Sequence, residues 1–200
     1  PDELEIIRPY AFSGNTHLEM IVIPMNVKTI GDYSFSGCSN LKYVYYLGTT
    51  QPSANDNVFE GLSGLTLKVK NGYSFTIGSK ETIPMTNMNQ TGQVYYFIDE
   101  ETGLMVFYGN GAPGSSSSWS SNGSYIKHII FEQGITKIDP YLFANTNKNY
   151  PNIKNVRIGN SVTSIGDYAF EYCSSLTTIT IGNSVTSIGF AAFRGCLLTT

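Results

Sequence analysis

Apolar positions recur along this chain with a period of 23 residues. Val162, Ile165, Gly166, Ala169, Phe170, Cys173, Leu176, Ile179 and Ile181 form one series. Val185, Ile188, Gly189, Ala192, Phe193 and Cys196 repeat it 23 residues later, and the nonapeptide IGNSVTSIG stands at both 158–166 and 181–189. Identical text at a fixed spacing marks a repeat architecture. The same template fits Ile7, Ala11, Phe12, Leu18, Ile21 and Ile23, and then Val27, Ile30, Gly31, Phe35, Cys38, Leu41, Val44 and Tyr46. It fits once more at Ile135, Ile138, Phe143, Ile153, Val156 and Ile158, with four extra residues within NTNKNYPN (145–152) that read as a bulged loop. In each unit the Ile-to-Phe spacing is five residues.

Each segment of type Leu-x-x-Ile-x-Ile predicts a short strand with alternate side chains turned inward. The glycine after the preceding Ile reads as a turn residue. Ala-Phe then fills the core from the returning side, and the small Cys packs under the next bend. One unit of this length cannot bury its apolar side alone. Stacked neighbours can, and their strands then pair into a parallel sheet.

Two stretches depart from the pattern. Residues 47–75 keep Phe59, 24 residues after Phe35, but shorten the path to the strand Leu65–Val69, as a terminal unit would. Residues 76–125 carry no repeat. Val94–Ile98 and Leu104–Tyr108 are strand-like, and Asp99-Glu100-Glu101-Thr102-Gly103 between them predicts a β-hairpin. A Gly/Ser-rich loop follows at 109–124.

The motif SVTSIGDYAFEYCSSLTTITIGN (161–183) resembles the BspA-like class of leucine-rich repeat. The resemblance covers most of 1–70 and 126–196. GLMVFYGNGAPG followed by Trp119 is similar to the hairpin that opens such an array. The expected fold is a leucine-rich repeat solenoid of short parallel β-strands with loop or short helical returns, interrupted by a β-hairpin junction. The expected division is 1–83 (end of a first array), 84–125 (junction) and 126–200 (start of a second array). The resemblance implies a cell-surface or secreted binding module. The chain opens within a repeat, without a signal peptide, and reads as a trimmed segment. After Cys196 no capping unit follows, so the end at Phe193 is expected to be exposed and to self-associate end to end.

Composition narrows the function classes. Only 14% of residues are charged and the formal net charge is −3, which leaves no basic face for nucleic acid. The longest apolar run, Met20–Met25, is too short to span a bilayer. Cys38, Cys173 and Cys196 are odd in number, which argues against a disulfide framework. Cys173 and Cys196 would stack in adjacent units with parallel side chains, a poor geometry for a bond. His17 and His128 lack a nearby nucleophile signature or ligand spacing, and Asp99, Glu100 and Glu101 lack a calcium-loop pattern. No cofactor, metal or catalytic residue is expected. Trp119 reads as a cover for the first rung of the second array, with an exposed anchor as the alternative. Asn89-Gln90-Thr91 and Asn122-Gly123-Ser124 match the glycosylation acceptor pattern.

The remaining candidates are the strand positions between the inward residues. They are Glu19, Met20 and Val22; Lys42, Tyr43 and Tyr45; Lys154, Asn155 and Arg157; Thr177, Thr178 and Thr180. They are expected to form one exposed sheet surface that binds an extracellular or host-surface protein, or a glycan, with Tyr43 and Tyr45 as anchors. The alternatives are a stalk without a ligand of its own, and an enzyme with its site in 84–125.

Overall fold

The computed structural model describes residues 3–199 except 71, 86, 87, 92, 115–118 and 148. The chain forms two compact units, Pro1–Thr86 and Asn87–Thr200.

In the first unit each rung contributes a longer strand to one sheet and a two-residue strand to another. The strands are β1 (Ile6–Ile7), β2 (Met20–Ile23), β3 (Thr29–Ile30), β4 (Tyr43–Tyr46), β5 (Ser53–Ala54), β6 (Thr66–Val69), β7 (Thr76–Ile77) and β8 (Lys80–Pro84). The main sheet runs β2-β4-β6-β8-β7, and the short strands pair as β1-β3-β5. Register follows the period: Met20 lies beside Tyr43, and Tyr43 beside Thr66. The strand at Leu65–Val69 is therefore not last in its sheet. β8 adds to it in parallel, with Leu67 beside Thr82, and β7 folds back on β8 as an antiparallel edge.

In the second unit the strands are β9 (Met88–Thr91), β10 (Val94–Asp99), β11 (Leu104–Gly109), β12 (His128–Phe131), β13 (Lys137–Ile138), β14 (Asn155–Ile158), β15 (Ser164–Ile165), β16 (Thr178–Thr180) and β17 (Ser187–Ile188). The expected hairpin is present as β10–β11, with Asp99 opposite Leu104. Gly103 closes its turn at φ 74°, and Asp99 Oδ1 accepts the amides of Glu101 and Thr102. β11 then pairs in parallel with β12, so the hairpin belongs to the same six-stranded sheet as the repeats, β16-β14-β12-β11-β10-β9. The short strands pair as β13-β15-β17. His128 pairs with Asn155, an offset of 27, which absorbs the four extra residues. Asn145 pins that bulge: its Oδ1 accepts the amide of Tyr150 at 2.7 Å and its Nδ2 donates to the carbonyl of Tyr172. Tyr150 is buried against Phe143.

The period places equivalent side chains above one another in the core. Phe12, Phe35 and Phe59 stack at 5.2 and 5.5 Å between ring centroids. Phe143, Phe170 and Phe193 stack at 5.7 and 5.5 Å. Such pairs contribute about 0.5–1.5 kcal/mol each beyond the area they bury. The cysteines are free thiols, each donating to the carbonyl of the Phe one rung earlier: Cys38 to Phe12, Cys173 to Phe143 and Cys196 to Phe170, at 3.0–3.2 Å. Burial raises the Cys196 pKa to about 11 and raises that of Cys173 further. Trp119 is fully buried, edge-on to Tyr96 and Phe107, where it closes the start of the second core.

The repeat glycines differ from expectation. Gly31, Gly166 and Gly189 do not adopt positive φ. A Cβ on Gly166 would lie 2.5 Å from Pro140 N and 2.8 Å from Pro140 Cδ, so the residue is needed for close approach of the preceding rung. The left-handed position comes two residues later and is filled by Tyr33 and Tyr168, and by Tyr10 and Tyr141 at the first rungs. These tyrosines stack in pairs on the outside, Tyr10 on Tyr33 at 5.2 Å and Tyr141 on Tyr168 at 4.9 Å. At the last rung Ile188, Phe190 and Leu197 are exposed, whereas Phe193 is half-buried.

Candidate functional site

Strand alternation turns one set of side chains from each main sheet outward. In the first unit two rows cross the sheet: Met20, Tyr43 and Thr66, then Val22, Tyr45, Lys68 and Ile83. In the second unit the rows are Leu104, His128, Asn155 and Thr178, then Phe97, Val106, Ile130, Arg157 and Thr180. The candidates therefore lie on two main sheets, one in each unit. Glu19, Lys42, Lys154 and Thr177 stand immediately before β2, β4, β14 and β16.

Their accessibility is uneven. Glu19, Lys42, Lys154, Thr178 and Thr180 are exposed; Met20, Val22, Tyr43, Asn155, Arg157 and Thr177 are half-buried. Tyr45 is 0% exposed, which overturns its expected role as an open anchor. Alternation sets the direction in which a side chain leaves the sheet; it does not set what lies over it. Lys68 Nζ sits 5.6 Å from the Tyr43 ring centroid and 5.8 Å from that of Tyr45, in the geometry of a cation–π contact.

Arg157 is also engaged internally. Its guanidinium pairs with Glu132, a carboxylate only 1% exposed. A buried carboxylate without a cation is strongly unfavourable, so this arginine is held by the fold. Beside it, Asn155 Nδ2 and His128 Nδ1 are 2.9 Å apart. The amide donates, so the ring nitrogen accepts. Burial first, then the charges of Lys127 and Lys154, lower the His128 pKa.

Thr66, Lys68, Ile83, Lys127 and His128 join these faces without having been candidates. β6 and β8 lie where the repeat text degenerates, which hid the first three. The 23-residue step from Tyr43 and Tyr45 leads to Thr66 and Lys68, and was the available signal. Lys127 was masked by the 27-residue offset to Lys154. Among the described residues no group of three His, Cys, Asp or Glu side chains is placed to hold a metal ion. No helix among them is long and apolar enough to cross a membrane.

Comparison with known proteins places this geometry in a family. The profile described as "BspA type Leucine rich repeat region" matches in six copies, over residues 1–88 and 148–200. No curated protein matches the chain. A leucine-rich repeat protein from Eubacterium ventriosum is 24% identical, with a TM-score of 0.48 over 55% of this chain and 29% of that one. A leucine rich cell surface protein from Faecalibacterium prausnitzii is 20% identical, with a TM-score of 0.35 over 96% of this chain and 49% of that one. The pneumococcal vaccine antigen is 19% identical, with a TM-score of 0.38 over 98% of this chain and 53% of that one. The chain thus spans from under a third to about half the length of these structures. With the family profile covering most of its residues, the chain belongs to the BspA-type leucine-rich repeat family.

Proposed function

We propose that this chain is a non-enzymatic, cell-surface or secreted binding module that holds a protein partner on the outward faces of its main sheets. The observation that carries the reading is the fixed register of those faces. Met20, Tyr43 and Thr66 sit side by side on one, and Asn155 and Thr178 on the other, each held by backbone hydrogen bonds across adjacent rungs. A contact surface preorganised in this way loses little conformational entropy on binding. Tyr43, Thr66, Asn155 and Thr178 stand on these faces, which suits a polar interface with aromatic contact area. The surface location rests on family membership.

The test is a binding screen of the 200-residue chain against extracellular-matrix and host-surface proteins, followed by Met20→Arg and Thr178→Arg. Neither residue belongs to a buried core cluster, so both variants keep the fold. Saturable binding weakened by either variant supports the proposal. Binding insensitive to both removes the sheet faces as the site. Failure to bind any protein of a broad panel favours a stalk that carries other domains.

A further inference from the structure

The row just ahead of the main strands differs between the two units. In the first, Lys42 follows Glu19, with the Lys42 amide donating to the Glu19 carbonyl at 2.9 Å. Opposite charges stand one rung apart. In the second, the Lys154 amide donates to the Lys127 carbonyl at 2.8 Å, and the Thr177 amide to the Lys154 carbonyl at 3.0 Å. Two lysines therefore stand on neighbouring rungs, about 4.8 Å apart along the hydrogen-bond direction. Like charges placed side by side across strands are destabilising. Both side chains are exposed, and the ion pairs among the described residues involve other cations. The repeat offers its own remedy at the equivalent position of the first unit, and the second unit does not use it.

Lys127 is also positioned. A Cβ on Gly103 would lie 2.9 Å from its Cγ and 3.0 Å from its Cδ, so the lysine stem rests on the hairpin turn and its ammonium is presented outward. Asn155 flanks the pair and, through His128, holds a fixed orientation. We propose that Lys127 and Lys154, with Asn155 and Thr177 beside them, recognise a pair of carboxylates on an acidic segment of a partner protein.

The proposal rests on the sheet-face reading above and adds the chemistry of the partner. Two acidic side chains three or four positions apart on a helix stand about 5–6 Å apart, which matches the rung spacing. The half-buried His128 lies between Leu104 on β11 and Asn155 on β14, and the charges that lower its pKa are Lys127 and Lys154. A carboxylate held by those lysines would offset their field, so His128 serves as a built-in reporter.

The experiment titrates the chain with a helical peptide bearing Glu at positions i and i+4, with its Gln counterpart, and with an oligouronate. His128 is followed by NMR across pH. Expected are salt-sensitive binding of the Glu peptide, an upward shift of the His128 pKa in its presence, and affinity lower by roughly two- to fivefold for each of Lys127→Gln and Lys154→Gln. The double charge reversal Lys127→Glu, Lys154→Glu should transfer preference to a Lys-bearing peptide. Equal binding of the Gln peptide, an unmoved His128, or no binding at millimolar peptide overturns the proposal. Binding of the oligouronate alone overturns it in favour of an acidic glycan. A partner from the screen that is lost with Thr178→Arg but insensitive to both lysine variants overturns this inference and leaves the sheet-face reading standing.

Discussion

Gly166→Ala tests the packing of successive rungs. The added methyl would meet Pro140 N at 2.5 Å, Pro140 Cδ at 2.8 Å and Asp139 C at 2.9 Å. None of these is the far end of a flexible side chain, so none can swing aside. Ordinary contact would require the rungs to part locally by roughly 1 Å, because non-bonded carbon atoms settle near 3.5–4.0 Å. Two hydrogen bonds bridge that point: Gly166 N to the Ile138 carbonyl at 2.8 Å, and Tyr141 N to the Asp167 carbonyl at 3.0 Å. Parting the rungs stretches both beyond normal range, a loss of about 0.5–1.5 kcal/mol each. Overpacking strain adds about 1–3 kcal/mol. The expected destabilisation is therefore about 2–6 kcal/mol, combining the two. Trp119 is the only tryptophan and is buried in the second core, so its fluorescence in a urea titration reports that unit. A Gly166→Ala midpoint that implies less than about 0.5 kcal/mol, the range of a neutral surface change, would refute the close-approach argument.

Three further outcomes follow from the geometry. Tyr45→Ala should cost about 3 kcal/mol in a denaturant titration, as a large buried aromatic does, while Tyr43→Ala costs clearly less; equal losses would contradict the burial of Tyr45. Arg157→Leu should cost about 3–5 kcal/mol by stranding Glu132, with much of the loss recovered in Glu132→Gln, Arg157→Leu; an unrecovered double variant would refute the buried pair. The Cys173 and Cys196 thiols have pKa values raised above their ordinary 9.0, so the unfolded chain releases these protons first. Their stabilising contribution is complete below pH 9 and falls as pH rises toward 11 and beyond. The Trp119-reported midpoint should thus drop between pH 8.5 and 10.5 less steeply in Cys173→Ala than in the native chain, and an identical slope would oppose the assignment.

Much of the fold was legible because a repeat states its own register. Once Phe12, Phe35, Phe143, Phe170 and Phe193 are aligned, the 23-residue step determines which strands pair, which side chains stack, and where the four extra residues of 145–152 must bulge. The hairpin was readable from alternation and Gly103, and the outward direction of Tyr43, Asn155 and Thr178 from the same period of two. These are local properties, set by covalent geometry and by the need to bury one side of every unit. Tertiary structure decided what no local pattern carries. It placed β8 beyond β6, joined β11 to the repeat sheet, covered Tyr45, and paired Arg157 with Glu132 from 25 residues away. It also gave the repeat glycine its reason, since the atoms a Cβ would strike belong to the preceding rung. The distinction is physical: periodicity sets a side chain's direction, while its exposure and partners depend on which other segments arrive there.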